Sequence, residues 1–123
     1  MTSSQELSLA AAAAAAAKKA RDIRILDVSS LLVITDYFVI CSGSSDRQVH
    51  SVVDEVERVL LERGIKAFHR EGEREGHWVL LDYVDFVVHV FLQEDRDYYD
   101  LERLWRDAPV VPFEEAQARI SAG

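Results

Sequence analysis

The chain has 123 residues, 49% of them hydrophobic and 29% charged, which suits one domain built on a single ordinary core. Its formal net charge of −8 repels phosphate, arguing against affinity for RNA or DNA over most of the fold and favouring a basic protein partner. No run is long and apolar enough to span a membrane. The apolar stretch 9–17 has no basic residue before it and Lys18 and Lys19 after it, the reverse of a secretory signal, so the chain reads as cytoplasmic. The single cysteine, Cys41, has no internal disulfide partner and reads as a buried packing thiol, in keeping with a reducing compartment.

Taken in chain order, Ser3-x-x-Glu6 is a capping box, and eight consecutive alanines follow from Ala10 to Ala17. Alanine has the best intrinsic helix propensity, so a helix is predicted over 5–21, with Lys18, Lys19 and Arg21 suiting its C-terminal dipole. Alanine buries little area, and the sequence leaves open whether this helix packs closely or stays mobile. Residues 23–28 alternate as a strand, with Ile23 and Ile25 on one side and Leu26 and Val28 on the other. Residues 31–35 fit either a short strand or a connection. The continuous apolar run 37–41 is a buried central strand, ended by a Ser42-Gly43-Ser44 turn. Ser45-x-x-Gln48 opens a second helix whose stripe is Val49, Val52, Val53, Val56, Val59 and Leu60, closed by Gly64 as its C′ residue. Residues 66–69 form a short strand, and 70–76 a charged loop. Two apolar runs, 77–83 and 86–92, then make a hairpin about Val84-Asp85, and a helix is predicted over 96–106. Pro109 and Pro112 interrupt what remains, and a weak helix is expected over 113–123.

This order predicts an α/β fold: a mixed sheet of about five strands covered by helices. The organisation reads as an alanine-rich helix over 1–22, part of or appended to the domain, a core over 23–108 and a tail over 109–123.

The hairpin and its sequel gather chemistry-bearing residues: His77, Asp82, Asp85 and His89, followed by Tyr98 and Tyr99. The four histidines (His50, His69, His77, His89) show no zinc spacing, so no metal site is expected. Nucleotidyl transfer would pair a Gly-Ser turn at a helix N-terminus with adjacent carboxylates holding magnesium. Gly43-Ser44 and the aspartates echo that pattern, but Asp82 and Asp85 straddle a turn and no phosphate clamp accompanies them, so no catalytic residue is assigned. No Gly-x-Ser-x-Gly setting supports covalent catalysis. A binding surface fits better: Trp78, Tyr83, Tyr98, Tyr99 and Trp105 concentrate the polar-tipped aromatics in one third, and such side chains anchor interfaces. Of Tyr98 and Tyr99, at most one can join the helical core stripe Leu101, Leu104 and Trp105. The contact set is therefore Trp78, His77, Asp82, Asp85, His89, Tyr98 and Tyr99, with Asp36, Tyr37 and Trp105 as secondary partner or dimer candidates.

The motifs Leu26-Asp27-Val28, Ile34-Thr35-Asp36-Tyr37-Phe38-Val39-Ile40-Cys41-Ser42-Gly43-Ser44-Ser45, Gly76-His77-Trp78-Val79-Leu80-Leu81-Asp82-Tyr83, Asp85-Phe86-Val87-Val88-His89-Val90-Phe91 and Tyr98-Tyr99-Asp100-Leu101-Glu102-Arg103-Leu104-Trp105 follow one another along the chain. Together they resemble the ribosomal silencing factor S, or Iojap-like, family. The resemblance implies a nucleotidyltransferase-like fold without catalysis or cofactor. It also implies binding to the large ribosomal subunit through its ribosomal protein numbered fourteen, blocked joining of the small subunit, and a homodimer when free. A metal-dependent nucleotidyltransferase and a homodimeric adaptor are the alternatives. Many members carry glycine where this chain has Val84, which argues against a positive-φ turn here.

Overall fold

In a computed structural model, residues 3–113 are described. Helix α1 (Ser4–Ala17) starts where the Ser3 side chain accepts from the Glu6 backbone N–H. It stops earlier than predicted. Lys18 caps it and Lys19 takes the left-handed conformation (φ 63°), with the Lys19 and Ala20 N–H groups closing on Ala16 and Ala15 carbonyls. Arg21 is therefore not helical but opens strand β1 (Arg21–Asp27).

Strand β2 (Tyr37–Gly43) runs two residues past the expected stop, and Gly43 is part of the strand rather than a turn. A Cβ there would lie 3.1 Å from the Val49 nitrogen, so the missing side chain lets β2 end against the first turn of α2 (Asp46–Glu62). The Gln48 N–H bonds the Ser45 hydroxyl as the capping box requires, but the Gln48 side chain reaches one residue further back than Ser45. Its oxygen accepts from the Ser44 N–H, and its amide donates to the Lys18 and Lys19 carbonyls, tying the end of α1 to the start of α2. Gly64 (φ 83°) follows α2 with the paired closure of a Schellman motif, Ile65 N–H to Leu60 O and Gly64 N–H to Leu61 O.

Strand β3 (His69–Glu71) begins three residues later than the sequence suggests, followed by β4 (Trp78–Asp82) and β5 (Phe86–Leu92). The segment predicted as one helix over 96–106 is two: α3 (Gln93–Tyr99) and α4 (Leu101–Leu104), broken at Asp100 in the left-handed conformation (φ 48°). The prolines leave room for a sixth strand that periodicity missed, β6 (Val110–Val111), paired with β1 and lying in the stretch read as tail. The helix expected over 113–123 falls outside the described residues except for Phe113.

The sheet order is β3-β4-β5-β2-β1-β6, mixed because β2 and β5 run parallel at its centre while every other pair is antiparallel. Alternation along the strands gives two unlike faces. One carries Ile23, Ile25, Val39, Cys41, Val79, Leu81, Val88 and Val90 against α1 and α2. There Val49, Val52, Val56 and Leu60 are fully enclosed, each such side chain contributing about 1.5–3 kcal/mol relative to exposure, which outweighs valine's mediocre helix propensity. The alanines settle the question left open by composition: Ala11, Ala12, Ala15 and Ala16 are fully buried, and α1 packs closely on α2, β1 and β2 as part of the core.

Candidate functional site

The other face is built from three cross-strand rows running β4 to β5 to β2: Trp78–Phe91–Ser42, Leu80–His89–Ile40 and Asp82–Val87–Phe38. Its β1 side is covered by the C-terminal segment, where Trp105 meets Phe38 edge-on at 5.4 Å and Leu101 and Ala108 pack beside them. Arg96, almost fully buried, holds that segment in place. Its guanidinium donates to Glu102 Oε1 at 2.9 Å, to the Arg21 carbonyl and to the Ser42 hydroxyl, while Arg24 pairs with Glu102 from the sheet side. A buried guanidinium needs this full set of acceptors.

The first row carries an aromatic platform. Trp78 stacks on Phe91 at 4.8 Å and meets Tyr99 at 5.0 Å, and Tyr99 meets Tyr98 at 5.1 Å. Trp78 Nε1–H donates to His89 Nδ1 at 3.1 Å. Indole nitrogen is donor only, so His89 Nδ1 accepts and its proton sits on Nε2. Burial pushes the His89 imidazole down to a pKa of about 4, keeping the ring neutral.

Beyond the platform the face is bare. A cleft of about 600 Å³ opens among Leu32, Thr35, Phe38, Leu80, Val87 and His89, with Ile34, Phe68, Asp82 and Val84 at its edges. Ile34 and Phe68, both lining the cleft, are 81% and 79% exposed, large apolar side chains held open to water beside one another, and Val33 next to Ile34 in the chain is exposed as well. At the hairpin tip Val84 has φ 74°, although a valine there argued against a positive-φ turn. The Asp85 N–H bonds the Tyr83 carbonyl across it as a γ-turn, and Asp82 Oδ1 accepts from the Val84 N–H at 2.8 Å, so hydrogen bonds on both sides hold a β-branched residue where glycine would be relaxed.

The sequence-derived candidates divide accordingly. Trp78, Asp82 and His89 lie on this face in consecutive rows, Tyr98 and Tyr99 extend it, and Asp85 stands exposed beyond the hairpin tip. His89 is buried and acts from below, holding Trp78. His77 is exposed before β4 and pairs with Asp95 of α3 at 3.4 Å. Both tyrosines are outside the core, Tyr98 at 75% and Tyr99 at 54% exposure, because the break at Asp100 takes Leu104 out of any common stripe. Asp36 receives the Ser4 hydroxyl at 3.5 Å, Tyr37 packs partly into the closed face, and Trp105 covers Phe38. Asp82 is engaged in closing the turn through Oδ1, while Asp85 stands exposed beyond it. Thr35, Phe68, Leu80 and Val84 were missed. For Thr35 a signal was present in the apolar run 31–35, which also supplies Leu32 and Ile34 to the cleft and has neither helical nor strand period; Phe68, Leu80 and Val84 carried no such mark.

A sheet sealed by helices on one side and left apolar and acid-rimmed on the other has the layout of a small α/β binding module. Comparison of the whole chain with known proteins identifies its family. The family model described as "Ribosomal silencing factor during starvation" matches residues 1–122, and the chain belongs to this family. It is 45% identical over 114 residues to a Bacillus subtilis protein named ribosomal silencing factor RsfS, covering 93% of this chain and 96% of that one. It is 34% identical over 108 residues to a mouse protein named "Mitochondrial assembly of ribosomal large subunit protein 1", covering 85% of this chain and 46% of that longer protein. A crystal structure of a Chromobacterium violaceum protein superposes with a TM-score of 0.82 at 40% identity, over 85% of this chain and 87% of that one.

Proposed function

We propose that this chain represses translation by docking its open sheet face on the large ribosomal subunit, through the ribosomal protein numbered fourteen, and sterically excluding the small subunit. The observation that carries this reading is the uncovered apolar face, whose rim carboxylates Asp82 and Asp85 suit a basic partner. Membership of a ribosomal silencing family supports it, as does the name of the mouse relative, which ties that protein to the large subunit. The mechanism needs no chemical step. Trp78, Tyr98 and Tyr99 are the aromatic anchors, His77, Asp82 and Asp85 the polar rim, and His89 the support that fixes the Trp78 ring.

A subunit-association assay tests the reading: wild-type protein reduces coupling of isolated large and small subunits. Trp78→Ala abolishes co-sedimentation with large subunits, and Phe68→Lys, at an exposed position the fold does not use, does the same with an unchanged circular dichroism spectrum. Undiminished binding by both folded variants would move the contact surface elsewhere. A second copy of the chain is the other occupant that the exposed apolar residues favour, and it would make a homodimer when the ribosome is absent. Light scattering on the free protein tests that reading, which fails if wild type is monomeric at micromolar concentration.

A further inference from the structure

Two buried polar atoms have no hydrogen-bond partner among the described residues, Thr35 Oγ1 and His89 Nε2, and both belong to residues lining the same cleft. Their coincidence is informative, because buried polar groups are nearly always paired and an unpaired one costs the free protein stability. The His89 atom is a donor, since Nδ1 already accepts from Trp78. Around them the walls are apolar (Leu32, Phe38, Leu80, Val87), and Ile34 and Phe68 stand exposed at the mouth.

We propose that the cleft receives a short apolar segment of the docked ribosomal protein, with an uncharged acceptor of that segment, a backbone carbonyl, taking the His89 Nε2–H bond and Thr35 Oγ1 completing the pairing. This rests on the docking function proposed above and specifies what enters the face. Three features select the occupant. A neutral donor in an apolar cleft favours a neutral acceptor, because a carboxylate brought there would lose its hydration and meet no cation. The carboxylate of Asp82 in the lining, with exposed Asp85 just past Val84 in the chain, disfavours an acidic segment further. The exposed Ile34 and Phe68 at the mouth would stay wet around a small molecule but are covered by a protein segment that continues past the cleft.

The test uses Thr35→Val, which keeps shape and removes the hydroxyl, with isolated large ribosomal subunits as the probe. The expected result is a Tm raised by a few degrees in the free protein together with a Kd for large subunits weakened about tenfold. His89→Asn, which keeps an acceptor for Trp78 but withdraws the Nε2–H donor, weakens binding similarly. Wild-type affinity in a folded Thr35→Val variant would overturn the proposal while leaving ribosome docking intact. A lowered Tm with unchanged affinity would show that both groups are satisfied inside the free protein, and would overturn it equally. A shift in self-association with unchanged subunit affinity would assign the cleft to a second copy instead. Failure of wild type to bind large subunits would overturn the docking reading and this one together.

Discussion

Leu80 and Leu81 are chain neighbours on one strand, yet they live in different environments. Leu81 faces the valines of α2 and is fully buried, whereas Leu80 faces the cleft and remains half-buried. The same contrast holds for the two sides of the sheet as a whole. The closed side stabilises the fold through interlocking apolar contacts. The open side carries the features a fold optimised for itself would discard: unpaired buried polar atoms, exposed large hydrophobics and a valine in a left-handed turn. Stability and recognition have been assigned to opposite surfaces of one sheet.

That division can be tested most directly on the neighbouring leucines. Leu81→Ala is expected to lower the unfolding free energy by about 3 kcal/mol, and Leu80→Ala by less than about 1 kcal/mol, in urea denaturation. Equal losses would erase the distinction between the faces.

Acid should act on the open side next. The His89 ring is held neutral down to about pH 4, whereas in the unfolded chain it takes a proton near 6.5. Stability is therefore full above pH 6.5 and falls as pH drops through the window from 6.5 to 4, by about 3 kcal/mol in all from this group. Comparing His89→Phe with wild type across that window isolates the effect, and parallel curves would refute it. His50 has the opposite sign. Its ring nitrogens face the Glu73 and Asp46 carbonyls, the former bond being the main cause of its raised pKa, so its contribution is present at acid pH and lost as pH rises through that raised value.

The smallest effect concerns the hairpin tip. Val84→Gly relieves the positive φ and is expected to raise stability by about 1 kcal/mol, read as a higher Tm. A lowered Tm would mean that Val84 contributes packing worth more than its strain.

Periodicity and capping make most of the closed face legible in the sequence, the unperiodic alanine helix excepted. The valine stripe, the strand runs and both capping serines identify it, because burial against a helix leaves a 3.6 or 2.0 signature. The open face is legible only in part. Trp78, Asp82 and His89 stand out by residue type, but Thr35 and Phe68 reach the cleft from connections whose course depends on tertiary packing. The helix break at Asp100 is unreadable for a related reason, since an aspartate in the left-handed region leaves no mark on hydrophobic spacing. Val84 misleads in the other direction: propensity argues against positive φ, and the Asp82 and Tyr83 hydrogen bonds override it.

The central seam has a further consequence, for how the chain acquires its shape. Tyr37 pairs in parallel with Phe86, about fifty residues further along, while β1 with β2 and β4 with β5 are near neighbours in the chain. The two antiparallel pairs can each zip up locally, but they meet only through this long-range pairing, and β6 joins β1 across a longer loop still, Ile25 with Val111. Helix α2 is synthesised between them and lacks half of its floor until β5 exists. A nascent chain must therefore emerge past Leu92 before the two halves share a core, and past Val111 before β1 gains its second neighbour, so the fold is completed late.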